Sequence, residues 1–207
     1  MNSRGFVQVS PQVSFDEESL VLVDERDNVV GYDSKLNTHR GSGLLHRAFS
    51  IFLFAGPDRV LLHRRSEQKP LWPGFWTNSC CSHPRYGESY AYAARRRLQE
   101  ELGITTELAW LYQFQYSASF GDKGSENELC AVMIGDIDES RPVEPNRQEV
   151  LDWGWYDSAQ VDVWVRQQPA HFTPWFLLEW AELRGKQDSA VNEFCTRRRQ
   201  RARLSIQ

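Results

Sequence analysis

Hydrophobic and polar positions change period several times along this chain, and the changes mark its elements. "SLVLVD" (19–24), the polar "ERDN" and then "VVGYD" together predict a β-hairpin with a polar turn. A second strand pair is predicted at "AFSIFLFA" (48–55) and "RVLLHRR" (59–65), joined across "GPD", whose residues favour a tight turn. The period shifts at 88–102, "ESYAYAARRRLQEEL", where Ala91, Ala94, Leu98 and Leu102 define an apolar helical stripe and Gly103 supplies a stop. Aromatic and β-branched content predicts strands at 107–118, 128–137 and 149–156. Helices follow near 158–168 and 174–184, the second opened by Thr173-Pro174. Strands outnumber helices and their order is mixed, so an α+β fold or a mixed-sheet sandwich is expected.

Composition narrows this to one domain with a sizeable core: 207 residues, 41% hydrophobic, with eight tryptophans. Cysteines at 80, 81, 130 and 195 show no disulfide framework, which favours a reducing compartment. No apolar run has the length of a membrane span, and the first residues carry no apolar signal core, so a cytoplasmic protein is expected. Residues 184–207 hold seven Lys/Arg against two acids, a net +5 that leaves −9 on residues 1–183. An acidic body argues against nucleic-acid binding. Residues 1–17 read as a flexible arm, 18–183 as the folded domain and 184–207 as a basic tail, solvated or frayed.

The chemistry begins at "TNSCCSHP" (77–84). In an extended chain Ser79, Cys81 and His83 share one face while Cys80 and Ser82 take the other. Cys80 then reads as a small buried hydrophobe and Cys81 as a thiol sharing a cavity with an imidazole. The competing reading of this segment alone makes both cysteines core filler. His39 and His46 lie in "NTHRGSGLLHRAFS", and "SENELC" puts Glu126 and Glu128 on one strand face. With His83 these would form a mixed nitrogen and oxygen set suited to Zn²⁺, Mn²⁺ or Fe²⁺, although the ligands are dispersed in sequence. On the helix, Arg97 and Glu101 are four apart and therefore stacked, beside Glu100. Such carboxylates can hold Mg²⁺, which prefers oxygen ligands and accompanies phosphate. Lys35, Arg64, Arg65 and Lys69 supply cations that would suit a diphosphate, each of them also readable as a plain surface charge.

"GESYAYAARRRLQEELGI" resembles a degenerate Nudix box, G-x5-E-x7-R-E-U-x-E-E-x-G-U with U bulky and apolar. Glu88, Arg96, Leu98, Glu100, Glu101, Gly103 and Ile104 fit it. Ser82 stands where its first glycine belongs, and Arg97 replaces the glutamate that binds metal in the pyrophosphohydrolases. "LLHRAFSIFLF", "WPGFWTNSCCSHP", "SENE" and "TPWF" narrow the resemblance to the type 1 isopentenyl-diphosphate isomerases, in order over roughly residues 18–183.

That resemblance implies a Nudix-like fold, mixed β-sheets flanked by helices. It implies a reaction in which isopentenyl and dimethylallyl diphosphate, the C5 units of isoprenoid biosynthesis, interconvert by protonation and deprotonation. Cys81 and Glu128 match the family's catalytic pair, supported by Tyr116, and Trp175 the tryptophan that stabilises the cation. His39, His46, His83, Glu126 and Glu128 match the ligands of one divalent metal, Mn²⁺ or Zn²⁺. Glu101, with the Cys81 carbonyl, matches the site of a Mg²⁺ that accompanies the diphosphate. Lys35, Arg65, Lys69 and Arg97 match positions that contact the diphosphate itself. A small-molecule substrate is therefore the expected partner, with no nucleic acid or membrane span, in a monomer or weak homodimer.

Overall fold

The computed structural model of the chain describes residues 10–204. Its centre is β3 (His46–Phe54), the apolar run "AFSIFLFA" extended back to His46. Before it lies the hairpin of β1 (Ser19–Val23) and β2 (Val29–Ser34), then the single turn α1 (Lys35–Thr38). After it come β4 (Arg59–Arg65), the short strands β5 (Trp76–Thr77) and β6 (Cys80–Ser82), and the helix α2 (Tyr90–Leu102). The remainder is β7 (Ala109–Ser119), β8 (Ser125–Asp136), β9 (Val150–Asp157), α3 (Ser158–Gln167), α4 (Pro174–Arg184) and α5 (Asp188–Leu204).

β3 pairs in parallel with β8 along its full length, His46 opposite Glu128 through Phe54 opposite Asp136. Its other contacts are antiparallel, to β1 and β4 at its ends and to β6 in the middle. β7 extends the sheet beyond β8, and β4 carries β9. Alternation along β3 feeds two cores. Phe49, Ile51 and Leu53 face α2, meeting Ala93, Ala94, Leu98 and Leu102. Ala48, Phe52 and Phe54 face the other way, onto Phe176, Trp180 and Leu183 of α4. The sheet therefore has helices on both faces, an α+β architecture with mixed strand directions.

α2 starts at Ser89, whose side chain accepts from the Tyr92 amide, and stops at Gly103 in the left-handed conformation (φ 68°). A Cβ there would lie 2.9 Å from Glu144 Cβ, so glycine is required on both counts. The apolar stripe is corrected in one place: Ala91 is exposed and Ala93 packs inward.

Two boundary expectations are revised. The basic tail is not frayed, since residues 188–204 form α5. Val191, Phe194 and Cys195, at helical spacing, put one narrow stripe into the α4 core, and Arg199 lies 3.7 Å from Asp136. Val191→Asp should therefore lower unfolding free energy by about 3 kcal/mol, because it buries an unpaired charge. A urea midpoint unchanged by that substitution would return the segment to a tail. Of the arm, residues 1–9 lie outside the described residues, but residues 10–17 are fastened down. Asn146 Nδ2 donates to the Pro11 carbonyl at 2.8 Å and Arg97 Nη1 to the Val13 carbonyl at 2.6 Å. Lys35 Nζ bonds Ser14 Oγ. Among the described residues no helix is long and apolar enough to cross a membrane.

Candidate active site

Strand register, with α1 and the end of β6 beside it, brings the dispersed histidines and glutamates together. The β3–β8 pairing sets His46 beside Glu128, and β7 sets Tyr116 on the other side of Glu128. His39 caps α1 and His83 follows β6, which hangs on β3 with Cys81 opposite Ser50. The three imidazole centroids lie 4.8–5.1 Å apart. One donor atom from each of His39, His46, His83, Glu126 and Glu128 falls within 4.8 Å of the others.

The surrounding hydrogen bonds prepare two of these rings as ligands. Nδ1 of His39 lies 2.7 Å from the Lys35 carbonyl, and Nδ1 of His46 lies 2.7 Å from that of Leu44. A carbonyl only accepts, so each Nδ1 carries a proton, and Nε2 of His46 is left with a lone pair. Burial works to lower His39, but Glu126 at 2.9 Å outweighs it and raises the ring, so its Nε2 proton would leave when a metal binds. His46 Nε2 is buried without a hydrogen-bond partner. Burial, then the charge of His39, pulls His46 down to about 4, and burial holds His83 well below its usual range. Burial works to raise Glu126, but His39 Nε2 at 2.9 Å outweighs it and holds the carboxyl at about 2. Glu128 is pushed well above the carboxylate range by burial and by the negative charge of Glu126. Two neutral imidazoles, a third paired with a carboxylate, and an orphaned buried nitrogen fit a divalent metal, which would displace the His39 proton and whose charge would draw Glu128 back to its ionised form.

A cavity of about 160 Å³ opens beside this cluster, and Cys81, Glu128, Tyr116 and Trp175 border it together with Lys35, Arg65 and Lys69. Burial pushes the Cys81 thiol up to about 12 despite Arg65, whose Nη1 lies 3.9 Å from the sulfur. At neutral pH it is thus an acid, not a thiolate. The Tyr116 hydroxyl donates to Glu128 Oε2 at 2.6 Å, and His83 Nε2 lies 2.9 Å from Oε1. Trp175, 3% exposed, is aimed by its indole donor on Thr77 Oγ1 at 3.0 Å. Arg65 is held by the carbonyls of Leu71 (2.8 Å) and Trp72 (3.1 Å), and Trp72 adopts a positive φ of 47° to present that carbonyl.

Two expected residues stand outside the cavity. Arg97 and Glu101 are 2% and 3% exposed and do not border it; Arg97 Nη2 bonds Glu101 at 2.6 Å. Arg97 also reaches Glu149 (3.2 Å), which in turn holds Lys69 at 2.5 Å. Glu149 thus ties the Nudix-box helix to a cavity cation. It went unnoticed in the sequence, where it is only the first polar residue of a strand. Asp16, from the arm, also borders the cavity. Burial, then the neighbouring Lys69, pulls Lys35 down to about 8. The predicted alternation holds for Cys80, fully buried against α2, and for Cys81 and His83, which border the cavity. It fails for Ser79, buried as a donor to the Leu61 carbonyl at 2.6 Å, and for Ser82, which borders the cavity after all.

Residues 44–176 match the NUDIX domain family, and the fold agrees. The MutT protein of Methanosarcina mazei Go1 superposes with TM-score 0.55 at 16% identity, over 70% of this chain and 95% of that one. A Deinococcus radiodurans protein gives TM-score 0.59 at 23% identity, over 72% and 90%. This is a Nudix-fold protein with a thiol and a histidine–glutamate cluster facing one cavity. Isopentenyl-diphosphate Delta-isomerase 1 of Photorhabdus laumondii is 41% identical over 80% of this chain and 94% of its own length. Isopentenyl-diphosphate Delta-isomerase 2 of Aromatoleum aromaticum is 44% identical over 77% and 82%. The chain belongs to the isopentenyl-diphosphate Delta-isomerase family.

Proposed function

We propose that this protein interconverts isopentenyl and dimethylallyl diphosphate, with Cys81 and Glu128 exchanging protons with the allylic carbons. The observation that carries the reading is a thiol and a buried carboxyl bordering one cavity that also holds cations. An unactivated alkene is a weak base, and its protonation passes through a tertiary cation. That requires an acid in a dry pocket, a base facing it and no competing nucleophile. Cys81 supplies a proton that burial keeps on sulfur, and Glu128 is the opposing acceptor; for the reverse reaction the roles exchange. Tyr116 holds Glu128 in place. Trp175 offers its π face to the cation.

Lys35, Arg65 and Lys69 bind the diphosphate, with Arg97 and Glu149 fixing their arrangement from beneath. Arg97 also accounts for the broken Nudix box: where a hydrolase would need a metal-binding carboxylate, a cation stands. The resemblance puts Mg²⁺ on Glu101 and the Cys81 carbonyl, but Glu101 is buried outside the cavity and bonded to Arg97, so this arrangement does not fit that ion. His39, His46, His83, Glu126 and Glu128 would hold Mn²⁺ or Zn²⁺. That ion, when bound, supplies charge that keeps Glu128 ionised and fixed.

Incubating the protein with isopentenyl diphosphate and Mg²⁺ should yield the acid-labile allylic isomer with no release of phosphate. Phosphate release without isomer would instead support a Nudix pyrophosphohydrolase, the alternative that the box itself favours. A second expectation concerns the metals: exhaustive chelation should abolish turnover, and Mg²⁺ alone should restore it only in part, full recovery needing Mn²⁺ or Zn²⁺ as well. Undiminished activity of metal-free protein would remove the histidine–glutamate cluster from the mechanism.

A further inference from the structure

α4 carries a second buried side chain on the face that presents Trp175. Glu179 follows it by one turn and is 0% exposed. Its Oε1 lies 3.7 Å from Cys130 Sγ, and that sulfur lies 3.6 Å from Ser50 Oγ. Ser50 is the cross-strand partner of Cys81, and Cys130 is two residues from Glu128 on the same face of β8. Oε2 of Glu179 is buried with no hydrogen-bond partner. Among the described residues no lysine, arginine or histidine pairs with this carboxyl, although most other buried acids of the molecule have such a partner. A carboxyl sealed beneath two reacting groups, without a cation, is stable only with its proton on.

We propose that Glu179 is a positioning residue that works as a neutral carboxylic acid sealed beneath the strands that carry Cys81 and Glu128, and that its ionisation sets the alkaline limit of turnover. Ionised, it would place a bare negative charge behind Cys81 and Glu128, both of which its charge reaches. A thiol beside a new negative charge surrenders its proton less readily.

The titratable groups around Glu179 separate from it: Glu128 of β8, raised by burial and Glu126, would be held ionised in the metal-loaded enzyme. Burial pushes Glu179 up to about 8, with Ser50 and Cys130 pulling the other way. Cys130 of β8 is raised well above the thiol range by burial, Cys81 of β6 up to about 12, and Tyr112 and Tyr116 of β7 upward as well. Tyr112 donates only to the Glu179 main-chain carbonyl, at 3.5 Å. The other group near 8 is Lys35, in the diphosphate site, where bound substrate holds its proton. Saturating substrate therefore separates the two.

The test uses metal-loaded enzyme and kcat at saturating isopentenyl diphosphate, and rests on the isomerase reading. Wild-type kcat should fall about tenfold per pH unit above an inflection near 8. Glu179→Gln, neutral at every pH, should stay within about twofold of wild type at neutral pH and show no such fall. An unchanged alkaline limb in the variant overturns the proposal. So does a loss of more than about tenfold at neutral pH in folded, metal-loaded variant. If the variant does not fold, infrared spectra of ¹³C-glutamate-labelled wild type decide. A buried carboxylic-acid C=O band that vanishes with the midpoint of kcat supports the proposal, and its absence at neutral pH overturns it. That band does not depend on turnover, so finding it in a protein without isomerase activity would count against the isomerase reading and not against Glu179.

Discussion

Cys81→Ala is expected to lower kcat for isomerisation by about a thousandfold or more while leaving the melting temperature, the metal content and KM close to wild type. The separation follows from where the sulfur sits. Cys81 is only partly buried, at the cavity wall, and among the described residues its sulfur has a hydrogen-bond contact to Arg65 at 3.9 Å, which the carbonyls of Leu71 and Trp72 hold independently. Removing the sulfur therefore deletes a proton without loosening the cavity cations or the histidine–glutamate cluster. Serine tests the chemistry further. Its hydroxyl fits the space but is a much weaker acid, so Cys81→Ser should recover little of the lost rate. Either variant turning over at the wild-type rate would mean that the alkene receives its proton from elsewhere.

What the sequence disclosed about this site depended on range. The i,i+4 pair of Arg97 and Glu101 could be read directly, because a helix fixes that geometry locally. So could the side on which Glu126 and Glu128 project, because a strand alternates. The histidine–glutamate cluster could not be read from spacing. It exists only through the parallel register that places His46 beside Glu128, a pairing of residues more than eighty apart that no hydrophobic pattern encodes. Resemblance to a family supplied that long-range information. The same limit explains α5: three apolar side chains among many arginines give a stripe too narrow to outweigh the charge until the α4 surface that receives it is known. Glu149 and Glu179 lacked any local signal. One is a polar residue opening a strand, the other an acid in a helix, and only burial beside the site distinguishes them.

Glu128→Gln should have an effect as large as the loss of the thiol, but with a different signature. Glu128 stands where two networks meet. Oε2 accepts from Tyr116 at 2.6 Å, and Oε1 lies 2.9 Å from His83 Nε2 and 3.8 Å from His46 Nε2. Glutamine preserves the shape and one acceptor oxygen but can neither take a proton from carbon nor offer a metal a charged oxygen. kcat is expected to fall about a thousandfold or more, and metal retention through dialysis should weaken as well, because one of the five residues that could hold the ion has lost its charge. The two losses separate on adding metal back. If Glu128 served only as a ligand, saturating Mn²⁺ or Zn²⁺ would return the rate. If it also exchanges the proton, the metal content recovers and the rate does not. Glu126→Gln is the control, since Glu126 pairs with His39 at 2.9 Å: its activity should return with metal. Restoration of wild-type turnover in metal-saturated Glu128→Gln would leave Cys81 without its opposing partner and end the two-sided mechanism.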